Sequence, residues 1–576
     1  MKRYIQILTA VLLVLTTACQ DLDREFVTSI GKAEIEQSFT NVQNLLSSIY
    51  AEVPDGTVYI GGAAMMASAS DESEFTVESN AVQAFNSGSW NAISNPDPVW
   101  GTYYRGIRKA NQFLLSTGDI NLDPWKLDPS PSAQAVYKTN LAAITRWKYE
   151  ARFLRAFFYF ELIKRYGGVP ILDKVFTLED DYTKVSRNSL DECIRFITSE
   201  CDSAASQLPL NGSTAPYIAG TDLGRVTKLA ALALKSRVLL YAASELFNNP
   251  SWAGGFSKPE LIALPAGDRK ARWKAASDAA KAVIDADGLP NLGNYKSLFN
   301  TFNNSEIIFT RRNGASNQFE KNNSPIGFNL GLSGNTPSQD LVDAYEVKVN
   351  ATTAVPFNWN DPVMAANPYA NRDPRLAMSI VTNNSAFGTP QRKVQLWTGG
   401  LDAKPIINAS KTGYYLRKYQ IESLNLLNGN TGVHSWIIIR YPEIYLNYAE
   451  ALNEWDPGNA DIRKYVNLVR ARTGVAMPPL PDKLSQAEVR ERIRKERRVE
   501  FAFEDHRFWD VRRWMIAENV LAAPLRGVTV ARVNDSTFTY RAEKVEDRVF
   551  TPKMYLYPIP QGEISIANAL IQNPMW

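Results

Sequence analysis

The feature that most constrains the fold is a long helical stripe in the first third of the chain. The segment KTNLAAITRWKYEARFLRAFFYFELIKRYGGVPIL begins at Lys138 and places apolar side chains three or four positions apart. The stripe consists of Ala143, Trp147, Ala151, Leu154, Phe158 and Leu162. This spacing predicts one long helix, which ends at Gly167, Gly168 and Pro170. Such a stripe has to be buried against neighbouring elements.

Further helical segments surround this one in the sequence. A Ser-x-x-Glu pattern from Ser189 to Glu192 is typical of a helix start. Later helices carry small residues, Ala451 and Ala471, at positions suited to close helix contacts. Paired helices of this kind predict TPR-like hairpins, although the repeats are too irregular for a uniform solenoid. The predicted segments cover residues 99–116, 138–166, 189–209, 224–247, 273–288, 440–455 and 462–475.

The sequence changes character between about residue 300 and residue 435. This part is rich in Asn, Gly and Pro, with aromatic residues embedded in it. Long loops mounted on a rigid scaffold are where binding is usually found. The sequence therefore predicts a mainly α fold, in which TPR-like helix pairs carry long irregular ligand-binding loops and minor β structure.

The N-terminus has the layout of a lipoprotein signal peptide. Lys2 and Arg3 precede an apolar run from Ile5 to Leu15, and small residues lead into Cys19. The run is too short to span a bilayer comfortably. Cys19 then predicts a lipidated N-terminus after removal of residues 1–18, the alternative being an unmodified cysteine behind an ordinary signal. Acyl chains on this residue would anchor the protein, with residues 19–30 as an acidic tether.

Composition narrows the classes of function. The formal net charge of +3 argues against nucleic acid as a partner, because phosphate binding needs a basic footprint. The chain has two histidines, His434 and His506, which argues against a zinc site built from histidines. It contains neither a P-loop nor a GxSxG motif, and it has no acidic loop with EF-hand spacing. We therefore expect no enzyme activity, no cofactor and no metal.

One segment, residues 490–513, is rich in charge but predicts no nucleic-acid site. It contains nine Arg or Lys residues and six acids. Glu491 with Lys495 and Arg492 with Glu496 fall at i,i+4 spacing, so we expect the helix to neutralise itself through such pairs.

A collinear set of motifs resembles the SusD/RagB family, the surface nutrient-binding lipoproteins of Bacteroidetes. The set runs along nearly the whole chain, and only the ending QNPMW departs from the usual QNPGY. Its main members are SDESEF from Ser70, YYRGIRKANQFL from Tyr103, EARFLRAFFYFELIKRYGGVPI from Glu150, GNTPSQDLVDAYE from Gly334, RYPEIYLNYAEALNE from Arg440 and RKERRVEFAFEDHRFWDVRRW from Arg494.

The resemblance implies one integrated globular unit with an N-terminal TPR-containing region over 31–300 and a C-terminal region over 301–576. It also implies a lipid-anchored protein on the outer membrane, facing the cell exterior. Such a protein binds oligosaccharide or polysaccharide without cleaving it and delivers it to a SusC-like TonB-dependent transporter. Two alternatives stay open at this point, a peptide-binding RagB-like protein and a surface glycoside hydrolase.

Candidate ligand residues follow from the chemistry of sugars. Sugars present apolar C–H faces and rings of hydroxyls, which suit aromatic platforms and amide side chains. In this family the site generally uses the region before the first long helix and the mid-chain loops. The candidates there are Trp90, Asn91, Phe319, Trp359 and Trp397. The alternative for each of them is a buried residue that anchors a loop.

Overall fold

The computed structural model describes residues 38–118, 120–177, 179–213, 217, 222–301 and 304–576. The predicted signal peptide at 1–18, the lipidated Cys19 and the tether at 19–30 lie outside the described residues. Within the described part, none of the helices combines the length and the hydropathy that a bilayer crossing requires.

Helices account for most of the regular structure. The longer ones are α1 Phe39–Tyr50, α2 Trp100–Ser116, α3 Pro131–Tyr166, α4 Leu190–Gln207, α5 Lys228–Ala243, α6 Arg269–Asp287, α7 Tyr441–Trp455, α8 Ala460–Arg470, α9 Gln486–Glu500 and α10 His506–Arg513. Short helices connect them at Gln83–Ser87, Asp123–Lys126, Tyr295–Leu298, Gln318–Asn323, Gln339–Ala344, Pro362–Ala366, Arg375–Ser379, Ala517–Val520 and Gln561–Ile566. The predicted mainly α fold is confirmed.

The long helix α3 is the centre of the helical half. It begins earlier than predicted, because Pro131 occupies its first turn and the Ser130 side chain accepts from the Ala133 N–H. It ends as predicted at Gly167, whose φ of 75° is a conformation that glycine adopts without strain. Its second half, from Phe153 onward, is buried on all sides.

The helices pack in a continuous array from α1 to α8. Each helix from α2 to α5 contacts the next one in chain order, and α6 then packs on α7. The segment between α6 and α7, residues 288–440, therefore leaves the array and returns to it. It carries the loops that the sequence marked as irregular.

The strands are short, and those described form two-stranded antiparallel sheets. The pairs are β1 with β3, β2 with β10, β4 with β5, β6 with β9, β7 with β8, and β11 with β12. Their bounds are β1 Ser73–Phe75, β2 Ile307–Ser316, β3 Asn335–Pro337, β4 Val347–Lys348, β5 Ala354–Val355, β6 Ile380–Val381, β7 Ala386–Phe387, β8 Arg392–Lys393, β9 Tyr415–Leu416, β10 Gly432–Arg440, β11 Leu525–Arg532 and β12 Phe538–Glu546.

One hydrophobic core cluster extends through both predicted regions of the chain. It begins at Val42 in α1 and includes residues as late as Leu570. Phe309 of β2 packs edge-on against Phe153 and Phe157 of α3, with ring centroids 5.2 and 5.7 Å apart. Such contacts join the irregular half to the helical array. The boundary at residue 300 stays a prediction.

Candidate functional site

The hairpin of β11 and β12 presents aromatic side chains on one side. Arg532 pairs with Phe538, and Val530 pairs with Tyr540, across the two strands. Directly paired residues project to the same side of a hairpin, and so do residues two positions apart on one strand. We call this side the hairpin face and define it by Arg532, Phe538, Val530 and Tyr540.

Trp397 lies on the hairpin face. Its backbone bridges to Val530, and the following residue, Thr398, donates its N–H to the Val530 carbonyl at 3.0 Å. The indole stacks on Phe538 with centroids 5.2 Å apart and an interplanar angle of 28°. The Arg532 guanidinium lies 5.1 Å from the indole centroid. The ring is half-buried, so part of it remains available to a ligand.

Trp359 lies beside the start of the same hairpin. Its Nε1–H donates to Asp343 Oδ1 at 3.2 Å, and the other oxygen of Asp343 accepts from Arg526 of β11 at 2.9 Å. Phe357 packs edge-on against the indole with centroids 5.1 Å apart. Because the indole N–H has a partner, the orientation of this half-buried ring is fixed.

The two tryptophans are associated with opposite ends of one strand. Trp359 is linked to Arg526 through Asp343, and Trp397 lies beside Arg532. Arg526 and Arg532 are six residues apart in β11. At about 3.3 Å per residue, their backbones are about 20 Å apart. Tyr369 packs edge-on against Tyr540 near the middle, with centroids 5.4 Å apart. The hairpin face therefore offers an extended aromatic surface and not a single stacking position.

A polar cleft of about 360 Å³ opens next to the start of the hairpin. Arg526 anchors one wall, because its Nε donates to Asp340 Oδ1 at 2.7 Å and its backbone N–H donates to Asp340 Oδ2 at 3.0 Å. This pairing fixes β11 to the short helix Gln339–Ala344. The charged residues of the cleft are Asp71, Asp340, Asp343, Arg498, Arg507, Arg526 and Arg548.

The far wall of the cleft is an ion-pair cluster centred on Asp71. Arg498 lies 2.6 Å and Arg507 lies 2.8 Å from its carboxylate oxygens. Burial alone would raise the pKa of Asp71, but these two guanidinium groups outweigh it and hold the pKa well below its usual range. Burial raises the pKa of the adjacent Glu72 to about 8, and the charge of Asp71 adds to the rise. At neutral pH Asp71 is therefore ionised and Glu72 is protonated.

The described residues offer no obvious metal centre. No group of three or more His, Cys, Asp and Glu side chains among them converges as a metal site would need. His506 is stacked on Phe501 with centroids 4.4 Å apart, and burial lowers its pKa well below the usual value. It is therefore a neutral packing residue.

The other predicted ligand residues lie elsewhere. Trp90 is 2% exposed and Phe319 is 3% exposed, so both rings belong to the core. Asn91 is exposed, but its side-chain oxygen accepts from the backbone N–H groups of Ile93 and Ser94 and holds a turn. Trp90 and Phe319 therefore match the alternative, a buried residue that anchors a loop, and their rings are too enclosed to stack on a ligand.

Several residues of the site were not predicted from the sequence. Asp340 and Asp343 lie in the motif GNTPSQDLVDAYE, which was assigned to the family as a whole and not to a site. The segment FTYRAEKVE alternates Phe538 and Tyr540 with polar residues, which is the pattern of a half-exposed strand. That alternation was the available signal for the hairpin face.

Two family models match this chain. One, described as the SusD family, matches residues 305–576. The other, described as starch-binding associating with outer membrane, matches residues 30–240. Together they cover most of the chain, including the residues of the cleft and the hairpin, and leave residues 241–304 between them.

Known relatives agree with this assignment. SusD-like protein P2 of Formosa agariphila is 24% identical over 90% of this chain and 92% of its own. A SusD-like protein structure from Bacteroides fragilis has a TM-score of 0.73 at 29% identity and covers 94% of this chain and 98% of that one. A second structure from Bacteroides fragilis, described as a SusD-like carbohydrate binding protein, has a TM-score of 0.72 at 26% identity, with 93% and 100% covered. The chain belongs to the SusD family.

Proposed function

We propose that the protein is a lipid-anchored, outer-membrane glycan-binding protein that passes oligosaccharides, uncleaved, to a SusC-like TonB-dependent transporter. The match of residues 30–240 to a family model described as starch-binding associating with outer membrane supports this proposal. So does the similarity to a structure described as a SusD-like carbohydrate binding protein.

One observation carries the proposal. Two half-buried tryptophans are associated with opposite ends of β11: Trp359 binds Asp343 of the polar cleft, and Trp397 stacks on Phe538 at the far end of the hairpin. Aromatic faces stack on the apolar C–H faces of sugars, while charged side chains make hydrogen bonds to hydroxyls. The strand positions with which the two tryptophans are associated, Arg526 and Arg532, have backbones about 20 Å apart, which suits a chain of several sugars better than a single ring.

The carboxylates of the cleft support binding without cleavage. Asp340 and Asp343 are both engaged by Arg526, and Asp71 is engaged by Arg498 and Arg507. Glycoside hydrolysis needs a protonated acid beside the scissile bond. These arginines hold the cleft carboxylates in ion pairs, and Glu72, whose pKa burial raises to about 8, is 1% exposed and does not line the cleft.

The attachment and the partner remain proposals from the sequence and the family. In the sequence, the proposed tether at 19–30 precedes α1, which begins at Phe39. In the proposed assembly the helical array faces the transporter, while the loops that leave it between α6 and α7 and the C-terminal hairpin carry the ligand.

Replacing Trp359 with alanine is expected to weaken binding to the glycan that a glycan array identifies. Loss of one stacking platform corresponds to about 1 kcal/mol, or roughly a five- to tenfold weaker affinity. Calorimetry with the purified mature protein measures this. The matched control is Trp455→Ala, since Trp455 is a half-buried tryptophan at the end of α7, in the helical array.

Equal affinities of the wild type and Trp359→Ala would remove Trp359 from the site. Binding of peptides and of no glycan on the array would replace the glycan proposal with the peptide-uptake alternative. New reducing ends after incubation with the bound polysaccharide would identify a hydrolase instead.

A further inference from the structure

The carboxylate oxygens of the polar cleft are already occupied by protein donors. Both oxygens of Asp340 accept from Arg526. Asp343 accepts from Trp359 on one oxygen and from Arg526 on the other. Asp71 accepts from Arg507 on both oxygens. Each carboxylate oxygen of these acids therefore already accepts at least one hydrogen bond from the protein, which reduces the capacity left for the hydroxyls of a ligand.

Three arginines of the same cleft have N–H groups that donate no hydrogen bond to another described residue. Among the described residues, Arg498 makes a single hydrogen bond, to Asp71 at 2.6 Å, and its buried Nε has no partner. Arg507 and Arg526 each use Nε and Nη2, which leaves Nη1 without a described acceptor. A guanidinium group carries five N–H donors, so three arginines leave several of them unpaired.

This imbalance identifies the chemistry of a fitting ligand. A cleft with spare guanidinium donors and occupied carboxylates favours a group that only accepts hydrogen bonds and carries negative charge. Carboxylate and sulfate are such groups, and a guanidinium group can bind an oxyanion through two parallel N–H···O bonds, which adds both energy and geometric specificity. The remaining lining includes Ala344, Val520 and Pro524, which suits the apolar face of a sugar ring.

We propose that this cleft binds the anionic substituent of an acidic glycan, either the carboxylate of a uronic acid or a sulfate ester. The inference rests on the proposed glycan-binding function and names the class of glycan. Arg526 is the residue best placed to make the contact, because its side chain is 39% exposed whereas those of Arg498 and Arg507 are more enclosed. The aromatic hairpin face then carries the neighbouring sugar rings.

Matched pairs of polysaccharides that differ in the charged group test this. The probes are polygalacturonate with its methyl-esterified form, and carrageenan with its desulfated form, measured against the mature protein by affinity electrophoresis. We expect the charged member of at least one pair to bind about tenfold or more tightly. Raising sodium chloride from about 0.05 M to about 0.5 M should reduce that difference, because salt screens charge interactions. The pair that shows the difference identifies carboxylate or sulfate.

The variant Arg526→Gln should lose this preference for the charged member. Its matched control is Arg541→Gln, because Arg541 lies in the same hairpin, is 78% exposed and pairs with Glu543. A second variant, Ala523→Glu, places a negative charge at the exposed rim of the cleft and should weaken binding of the charged probes without touching an ion pair.

The outcomes separate this inference from the proposed function. Equal binding of charged and neutral members, or an unchanged preference in both Arg526→Gln and Ala523→Glu, would overturn the acidic-glycan inference and leave glycan binding intact. Absence of any glycan ligand on the array would overturn both.

Discussion

Replacing Glu500 with glutamine is expected to destabilise the protein by about 3–5 kcal/mol, because the change removes the one carboxylate that three buried arginines share. Glu500 is fully buried at the end of α9. Its carboxylate lies 2.5 Å from Arg440, 2.7 Å from Arg472 and 2.8 Å from Arg375. Glutamine keeps the shape of the side chain but cannot neutralise three guanidinium groups.

Urea denaturation of the wild type and Glu500→Gln measures the loss. The matched control is Glu491→Gln in the same helix, since Glu491 is 60% exposed and pairs with Arg494 at the surface. Exposed pairs contribute at most about 1 kcal/mol, so the control should unfold close to the wild type. A midpoint for Glu500→Gln equal to that of the control would contradict the importance of the buried cluster.

The same carboxylate contributes to the loss of folding stability in acid. Burial alone would raise the pKa of Glu500, but Arg440, Arg472 and Arg375 outweigh it and hold the pKa far below the ordinary value of 4.5. A depressed pKa contributes stability that is present above the unfolded value and is lost as the pH falls towards the folded one. Below about pH 4.5, stability should therefore fall more steeply with decreasing pH in the wild type than in Glu500→Gln.

This buried cluster joins parts of the chain that are far apart in sequence. Arg440 ends β10, Arg472 follows α8, and Arg375 begins a short helix within the loop half. Besides Glu500, Arg440 pairs with Glu306, just before β2, at 2.9 Å and with Glu504 at 2.7 Å. The cluster therefore helps to hold the loops that carry Trp359 in a fixed relation to the helical array.

The charge pattern of this region was only partly predictable. The sequence predicts i,i+4 neutralisation within 490–513; Glu491 does pair locally, with Arg494, but Arg492 and Glu496 pair with residues far away in the sequence. Arg492 pairs with Glu346 at 2.5 Å, and Glu496 pairs with Arg375 at 2.7 Å and Arg470 at 2.8 Å. Sequence spacing gives the number of charges on a helix but not the elements that pack against it.

Helices were easier to predict than strands for a physical reason. A helix satisfies its hydrogen bonds locally, so the stripe in α3 and the capping box at Ser189 are visible in one segment. The pairing of β2 with β10 joins Ile307 to Arg440 across more than a hundred residues. Such a partner leaves no local signal, which is why the sequence predicts loops with minor β structure here but does not locate β2 and β10.

Prediction of the candidate site from the sequence was limited for the same reason, the dependence on tertiary neighbours. Loop composition identified five ligand candidates, but exposure depends on the tertiary neighbours of each ring. Trp359 and Trp397 remain half-buried beside the hairpin, whereas Trp90 is enclosed partly by Trp576, the last residue of the chain. Nothing in the segment NSGSWNAISN distinguishes these two situations.

Replacing Trp90 with alanine is therefore expected to destabilise the protein by about 3–5 kcal/mol and to leave the affinity of the folded protein for its glycan unchanged. The indole packs against Trp576, Phe85 and Tyr557, with ring centroids 4.6, 5.1 and 5.1 Å away. Alanine would leave a cavity between the N-terminal loop and the C-terminal segment. Urea denaturation measures the stability, and calorimetry below the unfolding transition measures the affinity.

The variant Trp90→Phe separates packing from recognition. It keeps an aromatic ring and most of the buried area, so it should recover much of the stability that alanine loses. If Trp90 instead contacted the ligand, Trp90→Ala would weaken binding while its unfolding midpoint stayed near that of the wild type. Because an enclosed ring cannot stack on a sugar, a loss of stability without a loss of affinity is the result that follows from its position in the core.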